Sequence, residues 1–283
     1  MIPELYSHLE LPELERPTLL IHLEGWIDAG HGGLTVVEHL LNEPTTTIGE
    51  FDTDLLLDHR ARRPILHVVD GVSDHLSWPS IQVSALRDDK GHDVVLVHGV
   101  EPDHLWGAFI EAVLWLIEKI DAVMVIGLGA YPAALPHTRP SRLACTASDP
   151  TLIHSPSFTR ATLDVPAGLQ AAIEYEAAQA GRPAIGLWAQ VPHYLTQMPN
   201  PAAAVALLEG LQEVAGLTFD DTELLEQTIS NRNRIDGLVA DNEEHLDMLR
   251  QLEEAFDSQT PEADIPTGED LAAEFQQFLR DQD

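Results

Sequence analysis

Apolar residues in the first two thirds of the chain occur in short runs separated by polar or glycine-rich turns. Residues 123–128 form one such run, and an unbroken apolar run of this length is typical of a strand buried on both faces of a sheet. Similar runs predict strands at residues 18–23, 47–51, 65–69, 81–86, 94–97 and 184–191. We expect residues 18–23, 94–97 and 123–128 to be central in the sheet, with residues 121–128 nearly inaccessible to solvent.

Apolar residues at helical spacing occur between some of these strands. Residues 103–119 carry a broad apolar face and lead directly into residues 123–128, which predicts a β–α–β unit. Further helices are expected just before Pro44, near residues 167–180 and at about 201–214. No strong helix separates the strands predicted between residues 47 and 97, so we expect hairpins and a mixed sheet in a fold of the α/β class.

The last quarter of the chain has a different composition. Residues 220–283 contain 19 acidic and 4 basic residues. Their apolar positions recur at spacings of three, four and seven, which predicts one long helix with a single apolar seam: Leu225, Ile235, Val239, Leu246, Leu249 and Phe256. Pro261 and Pro266 then interrupt the pattern. A second, short amphipathic helix is expected after them, with the apolar residues Leu271, Phe275, Phe278 and Leu279. We therefore divide the chain into an α/β body, residues 1–218, and an acidic helical hairpin, residues 219–283.

Charge and cysteine content exclude several classes of function. The net charge of -32 excludes a nucleic-acid binder with a basic surface and disfavours attraction to anionic membranes. The single cysteine, Cys145, excludes an internal disulfide and any zinc or iron–sulfur site built from several cysteines. No signal peptide and no apolar run of about 20 residues is evident. We expect a cytoplasmic protein without cofactor or metal.

Two glycine-rich segments are poor matches to nucleotide-binding motifs. Residues 30–35 follow a predicted strand and open a helix, but they lack the lysine of a phosphate-binding loop and lie beside Glu24 and Asp28. Gly127 and Gly129 end the apolar run that precedes a loop, yet Pro132 stands where a dinucleotide-binding motif requires its third glycine. We expect a close-packed turn at the first segment.

Polar residues with catalytic potential follow several predicted strands. In open α/β sheets the ligand crevice lies beyond the carboxyl ends of the strands. Six residues could supply an acid–base pair or a carboxylate–imidazole metal site there, with an arginine to hold a carboxylate or phosphate: Asp28, Glu101, Asp103, His137, Arg139 and His193. Alternatively, the same residues cap helices and tie loops to the sheet through hydrogen bonds.

Four sequence motifs together resemble the PAC2 family, the relatives of proteasome assembly chaperone 2. They are Gly-Trp-Ile-Asp-Ala-Gly at residues 25–30, Gly-Val-Glu-Pro-Asp at 99–103 with Trp106, the segment 127–140, and Val-Pro-His-Tyr-Leu at 191–195 followed by Pro-Asn-Pro at 199–201. The resemblance implies a three-layer α/β body similar to nucleoside phosphorylase cores. It also implies oligomerisation, with a trimer expected, and in some members assistance to proteasome assembly.

Two functions are compatible with the sequence. The resemblance favours a non-catalytic binding or assembly protein, without catalytic residues, whose partners include proteasome subunits. Gln282 stands where the docking tails of such chaperones have a tyrosine, which argues against insertion of this tail into a proteasome ring. The alternative is a small-molecule enzyme, a hydrolase or a nucleoside phosphorylase-like protein, that uses the six polar residues. Convergence of the six on one pocket would favour the enzyme.

Overall fold

A computed structural model describes residues 3–153, 158–240 and 242–258. The described strands are β1 Tyr6–Leu9, β2 Thr18–Glu24, β3 Thr46–Phe51, β4 Ile65–Val69, β5 Val72–Ser77, β6 Ile81–Arg87, β7 Asp93–Val100, β8 Met124–Ala133, β9 Leu143–Ala147 and β10 Ala184–Pro192. The described α-helices are α1 Gly32–Asn42, α2 Thr53–Leu56, α3 Trp106–Lys119, α4 Leu169–Gln179, α5 Pro201–Ala215, α6 Thr222–Ala240 and α7 Glu243–Ser258.

Eight of the described strands form one mixed sheet in the order β1-β3-β6-β7-β2-β8-β10-β9. Strands β7, β2, β8 and β10 run parallel, whereas β1, β3, β6 and β9 pair in antiparallel fashion with their neighbours. The predicted mixed sheet is therefore confirmed. The three apolar runs predicted to be central, now β2, β7 and β8, lie side by side in the middle of the sheet.

Helices cover both faces of this sheet, which confirms the three-layer α/β architecture. Side chains alternate between faces along a strand, so Leu20 and Ile126 pack on the side of α1 and α5. Leu19 and Val125 pack on the opposite side with α3 and α4. Because the middle strands are apolar at successive positions, each of them contributes to both cores.

Strand β8 differs from its prediction at both ends. It begins at Met124 and continues through Gly127 and Gly129 to Ala133, so the glycines do not end it. Asp121 is 61% exposed and its carboxylate lies 2.8 Å from Arg182. Ala122 is buried, Val123 and Met124 are half-buried, and continuous burial starts at Val125. The expectation that residues 121–128 are nearly inaccessible is thus wrong at Asp121, whose side chain reaches the surface to pair with Arg182, and at Val123 and Met124, which are only half-buried.

Strands β4 and β5 form a separate two-stranded sheet. The apolar run of β4 was predicted, but β5 was not, because Ser73, Asp74 and His75 give it no apolar pattern. The hairpin turns at Asp70 and Gly71, which both have positive φ, as required by a tight two-residue turn. Every residue of β5 is exposed, so the hairpin projects from the body.

The acidic C-terminal segment forms two helices where one long helix was predicted. The Asn242 side chain accepts a hydrogen bond from the Glu244 amide, so it caps α7 and separates it from α6. In α6, Leu224, Ile235 and Val239 are buried in the core shared with α5, whereas the predicted seam residue Leu225 is 44% exposed. The predicted second short helix, the prolines before it and Gln282 lie outside the described residues.

The division into a body and an appendage at residue 218 stays a prediction. Among the described helices, none is both long and apolar enough to cross a membrane.

Candidate functional site

The carboxyl ends of the parallel strands β2, β7, β8 and β10 lie at the same edge of the sheet. The segments that follow them carry the six candidate residues of the sequence analysis. Backbone hydrogen bonds join the first and last of these segments, since the Gly30 amide donates to Thr196 and the Asn200 amide donates to Gly30, both at 2.8 Å. The edge is therefore one continuous surface of interlocked loops.

Asp28 caps the first helix of the fold. Its carboxylate accepts hydrogen bonds from the amides of Gly33, at 2.7 Å, and Leu34, at 3.0 Å. These are the amides that could otherwise bind an anion at the start of α1. The turn is close-packed, because a Cβ atom on Gly32 would lie 2.9 Å from that of Ala130. The Asp28 carboxylate therefore satisfies the helix terminus itself.

Glu101 and Asp103 bind two other segments. Glu101 accepts a hydrogen bond of 2.7 Å from the amide of Leu169, which is the first residue of α4. Asp103 accepts a hydrogen bond of 2.9 Å from the Asp58 amide and forms an ion pair with Arg62. Glu101 thus binds the N-terminus of a helix and Asp103 binds a neighbouring loop. These are the structural roles that the sequence analysis gives as the alternative to catalysis.

His137 is held between two elements. Its side chain is 3% exposed, with Nε2 at 3.0 Å from the Asp236 carboxylate of α6 and Nδ1 at 2.8 Å from the Tyr194 hydroxyl. A carboxylate only accepts hydrogen bonds, so Nε2 donates, and a neutral ring then accepts the Tyr194 O–H at Nδ1. The Tyr194 oxygen also accepts the His137 amide at 2.9 Å. Burial raises the pKa of Tyr194 to about 12, so it stays a phenol.

Arg139 binds the last helix of the structure. Its Nε and Nη2 atoms lie 2.8 and 2.6 Å from the two carboxylate oxygens of Asp257, and Nη1 lies 3.3 Å from Glu253. The hydrogen bonds to Asp257 raise the pKa of Arg139, and in return Arg139 lowers the pKa of Asp257. The paired geometry is the one that would hold a substrate carboxylate or phosphate, but here carboxylates of α7 occupy it.

His193 lies beside the His137 and Tyr194 pair. Its ring meets that of Tyr194 edge-on, with 5.3 Å between centroids. Among the residues that the structure describes, its buried Nδ1 atom has no hydrogen-bond partner. His137, Arg139 and His193 are thus brought to one region, whereas Asp28, Glu101 and Asp103 bind separate segments. Within the described residues, no hydrogen bond or ion pair joins any two of the six.

A cavity of about 320 Å³ lies between this region and helices α5 and α6. The loop residues His137 and Arg139 line it together with the buried Asn200 and, from α6, Thr228 and Arg232. The cavity is therefore bounded jointly by the body and by the acidic C-terminal segment.

A second cavity, of about 300 Å³, contains two histidines that the sequence analysis missed. His22 and His98 are neighbours on β2 and β7 and line this cavity with Glu24 and Glu38. Burial, together with the nearby His22, lowers the pKa of His98 to about 4, so His98 is neutral at physiological pH. The His98 Nε2 atom lies 3.0 Å from the Ser84 hydroxyl. Both histidines lie within apolar strands and neither follows a strand end, so they lack the sequence feature that identified the other candidate residues.

Metal binding receives no support from the part of the chain that the structure describes. There, no three side chains of His, Cys, Asp or Glu come together in a group that could hold a metal ion.

Comparisons with known proteins place this architecture among characterised folds. A Mycobacterium tuberculosis protein of unknown function is 34% identical, with a TM-score of 0.84 and 90% of each chain covered. A proteasome-assembly chaperone homologue of M. tuberculosis and a PAC2 family protein of Streptomyces avermitilis are each 31% identical. Their TM-scores are 0.75 and 0.74, and each match covers 82% of this chain and 99% of the other. Comparison with curated proteins gives no significant match.

The sequence profile of the PAC2 family matches residues 22–239. That range includes the four sequence motifs and the loops after β2, β7, β8 and β10 that build the edge described above, whereas α7 lies outside it. Since it spans well over half of the chain, this protein belongs to the PAC2 family.

Proposed function

We propose that this protein is a non-catalytic assembly protein that binds proteasome subunits during their assembly. The observation that carries the proposal is that five of the six candidate catalytic side chains form structural hydrogen bonds or ion pairs. Asp28 and Glu101 bind helix amides, Asp103 binds a loop, and His137 and Arg139 bind the C-terminal helices. Through these bonds the five side chains hold the loops at the edge of the sheet in place as one rigid surface. The similarity to a proteasome-assembly chaperone homologue supplies the partner.

The test is reconstitution with the proteasome α and β subunits of the same organism. We expect native gels to show that the purified protein speeds the appearance of assembled rings or half-proteasomes. We also expect affinity capture from the native cell, followed by mass spectrometry, to recover proteasome subunits. Unchanged assembly together with no recovered subunit would contradict the proposal.

We further propose that the protein self-associates through the β4–β5 hairpin, as a trimer. The hairpin exposes six apolar side chains by half or more: Ile65, Leu66, Val68, Val69, Val72 and Leu76. An isolated two-stranded hairpin is marginally stable in water, and an exposed apolar patch of this kind marks an interface. Every copy of the chain offers the same apolar strands, so the hairpins of three copies that meet around a threefold axis would cover one another.

Introducing charge into the hairpin is expected to dissociate the oligomer. Val69 and Val72 are directly paired and are 60% and 69% exposed. The double substitution Val69→Lys, Val72→Lys would cost the single chain little, since surface changes are usually within about 0.5 kcal/mol. In an apolar interface the two ammonium groups would lose their hydration. Light scattering should give three times 31.1 kDa for the wild type and 31.1 kDa for the variant.

The matched control is Val165→Lys, which alters a valine that is 59% exposed outside the hairpin. This variant should keep the wild-type mass. A wild-type protein of 31.1 kDa at micromolar concentration, or a hairpin variant with unchanged mass, would contradict the interface.

A further inference from the structure

Glu174 is a carboxylic acid buried between helix α4 and the sheet. Its side chain points at a gap left by two glycines, Gly127 of β8 and Gly186 of β10. A Cβ atom on Gly186 would lie 2.7 Å from Glu174 Oε2, and one on Gly127 would overlap Oε1. Only glycine at these two positions leaves room for the carboxyl group. The glycines therefore provide the space that lets α4 pack closely on the sheet.

Uncharged groups surround this carboxyl. The Gln170 side-chain amide donates to Oε1 at 3.2 Å, and the Thr146 hydroxyl of β9 forms the second hydrogen bond. The Trp188 indole N–H in turn donates to Thr146 at 3.1 Å. Glu174 thereby connects α4 to β9 and β10 through a chain of hydrogen bonds.

No charged side chain faces Glu174 from the described elements packed around it. On β9, Cys145 points to the opposite face of the sheet, as does His22 on β2. The titratable side chains of α3 are exposed, namely those of Glu111, Glu118 and Lys119, and so are those of Tyr175 and Glu176 on α4. An ionised carboxylate would thus be buried without a cation. In agreement, burial raises the pKa of Glu174 to about 8.

We propose that Glu174 is a neutral carboxylic acid in the folded protein and acts as a proton-dependent latch, so that loss of its proton loosens α4 from the sheet. Opening would expose Leu169, Ile173 and Ala177, which α4 buries against the sheet. The amide of Leu169 is also the one bound by Glu101, so opening disturbs the loop edge of the sheet.

The sign of the pH effect follows from the two states of the carboxyl. In the open or unfolded chain its pKa returns to the ordinary value of 4.5, below the folded value of about 8. The stabilisation is complete below the unfolded pKa and is lost as pH rises toward the folded pKa. Between about pH 5 and pH 7.5, each pH unit should raise the equilibrium constant for opening by about tenfold relative to a residue that cannot ionise.

The test compares the wild type with Glu174→Gln, which keeps the size and hydrogen-bonding capacity of the side chain. The matched control is Glu176→Gln, on the exposed side of the same helix. Hydrogen exchange of α4 amides, measured on all three proteins at each pH, should show an equilibrium constant for opening that rises about tenfold per pH unit in the wild type and in Glu176→Gln, relative to Glu174→Gln. The same pH dependence in all three proteins would overturn the proposal.

A second measurement needs no variant. The infrared spectrum of the wild type at pH 7 should contain the carbonyl band of a protonated carboxylic acid, and this band should disappear with a midpoint near pH 8. Absence of the band at pH 7 would overturn the proposal even if the glutamine variant fails to fold.

Discussion

Replacing Gly99 with alanine is expected to cost at least about 3 kcal/mol of folding stability, because two penalties add at this position. Gly99 lies near the end of β7 with φ +122°, a conformation that side chains rarely adopt. Its Cβ atom would overlap the Ser80 carbonyl oxygen and lie 2.9 Å from the Ile81 Cα. Both obstacles are backbone atoms, one in the residue before the paired strand β6 and one in its first residue, and backbone atoms cannot rotate away as a side chain can. Urea denaturation of the purified variant measures the loss.

Gly91→Ala separates the two penalties. Gly91 also has a positive φ, +85°, but apart from its two chain neighbours no described residue places an atom within 4 Å of the position that its Cβ would take. This control should lose only the conformational term, about 1–2 kcal/mol. Equal losses in the two variants would show that the overlap with the neighbouring strand contributes nothing.

Deleting residues 220–283 is expected to lower solubility and change the oligomer. The deletion removes α6, whose Leu224, Ile235 and Val239 are buried against the body. Burial of three side chains of this size contributes roughly 5–9 kcal/mol before entropy is counted. The deletion also removes 15 of the 32 net negative charges, which otherwise favour solubility. Light scattering and thermal denaturation of the truncated protein test both effects.

The control for this truncation is a chain that ends after Ser258. It keeps α6, α7 and every contact described for them, so it should match the full chain in the number of subunits and in thermal midpoint. A chain lacking residues 220–283 that also stays soluble, with an unchanged number of subunits and an unchanged midpoint, would show that the C-terminal segment is an independent appendage.

The fold could be predicted well where burial leaves a pattern in the sequence. Apolar runs located the middle strands because both faces of these strands are covered. Strand β5 gave no such signal, since its residues are exposed and any polar residue is tolerated there. The break between α6 and α7 was missed because the apolar seam continues across it, although Asn242, a good capping residue, marks it.

The candidate site could be predicted only in part. The position of polar residues after strands correctly located the loop edge, but not their partners, which come from distant parts of the chain. His137 binds Asp236, 99 residues away, and Arg139 binds Asp257, 118 residues away. Glu174 was overlooked because one polar position on a helix gives no indication that it faces inward. The glycines opposite it, Gly127 and Gly186, were the available signal.

Arg139 pairs with two carboxylates of α7, so the contact between the loop and the helix depends more on Arg139 than on either carboxylate. Glu253 and Asp257 lie one helical turn apart on α7 and approach the same guanidinium group. If either carboxylate is lost by mutation, the other keeps its contact, whereas a change at Arg139 abolishes both. The contact therefore tolerates a substitution of one carboxylate on the helix but not a substitution of the arginine on the loop.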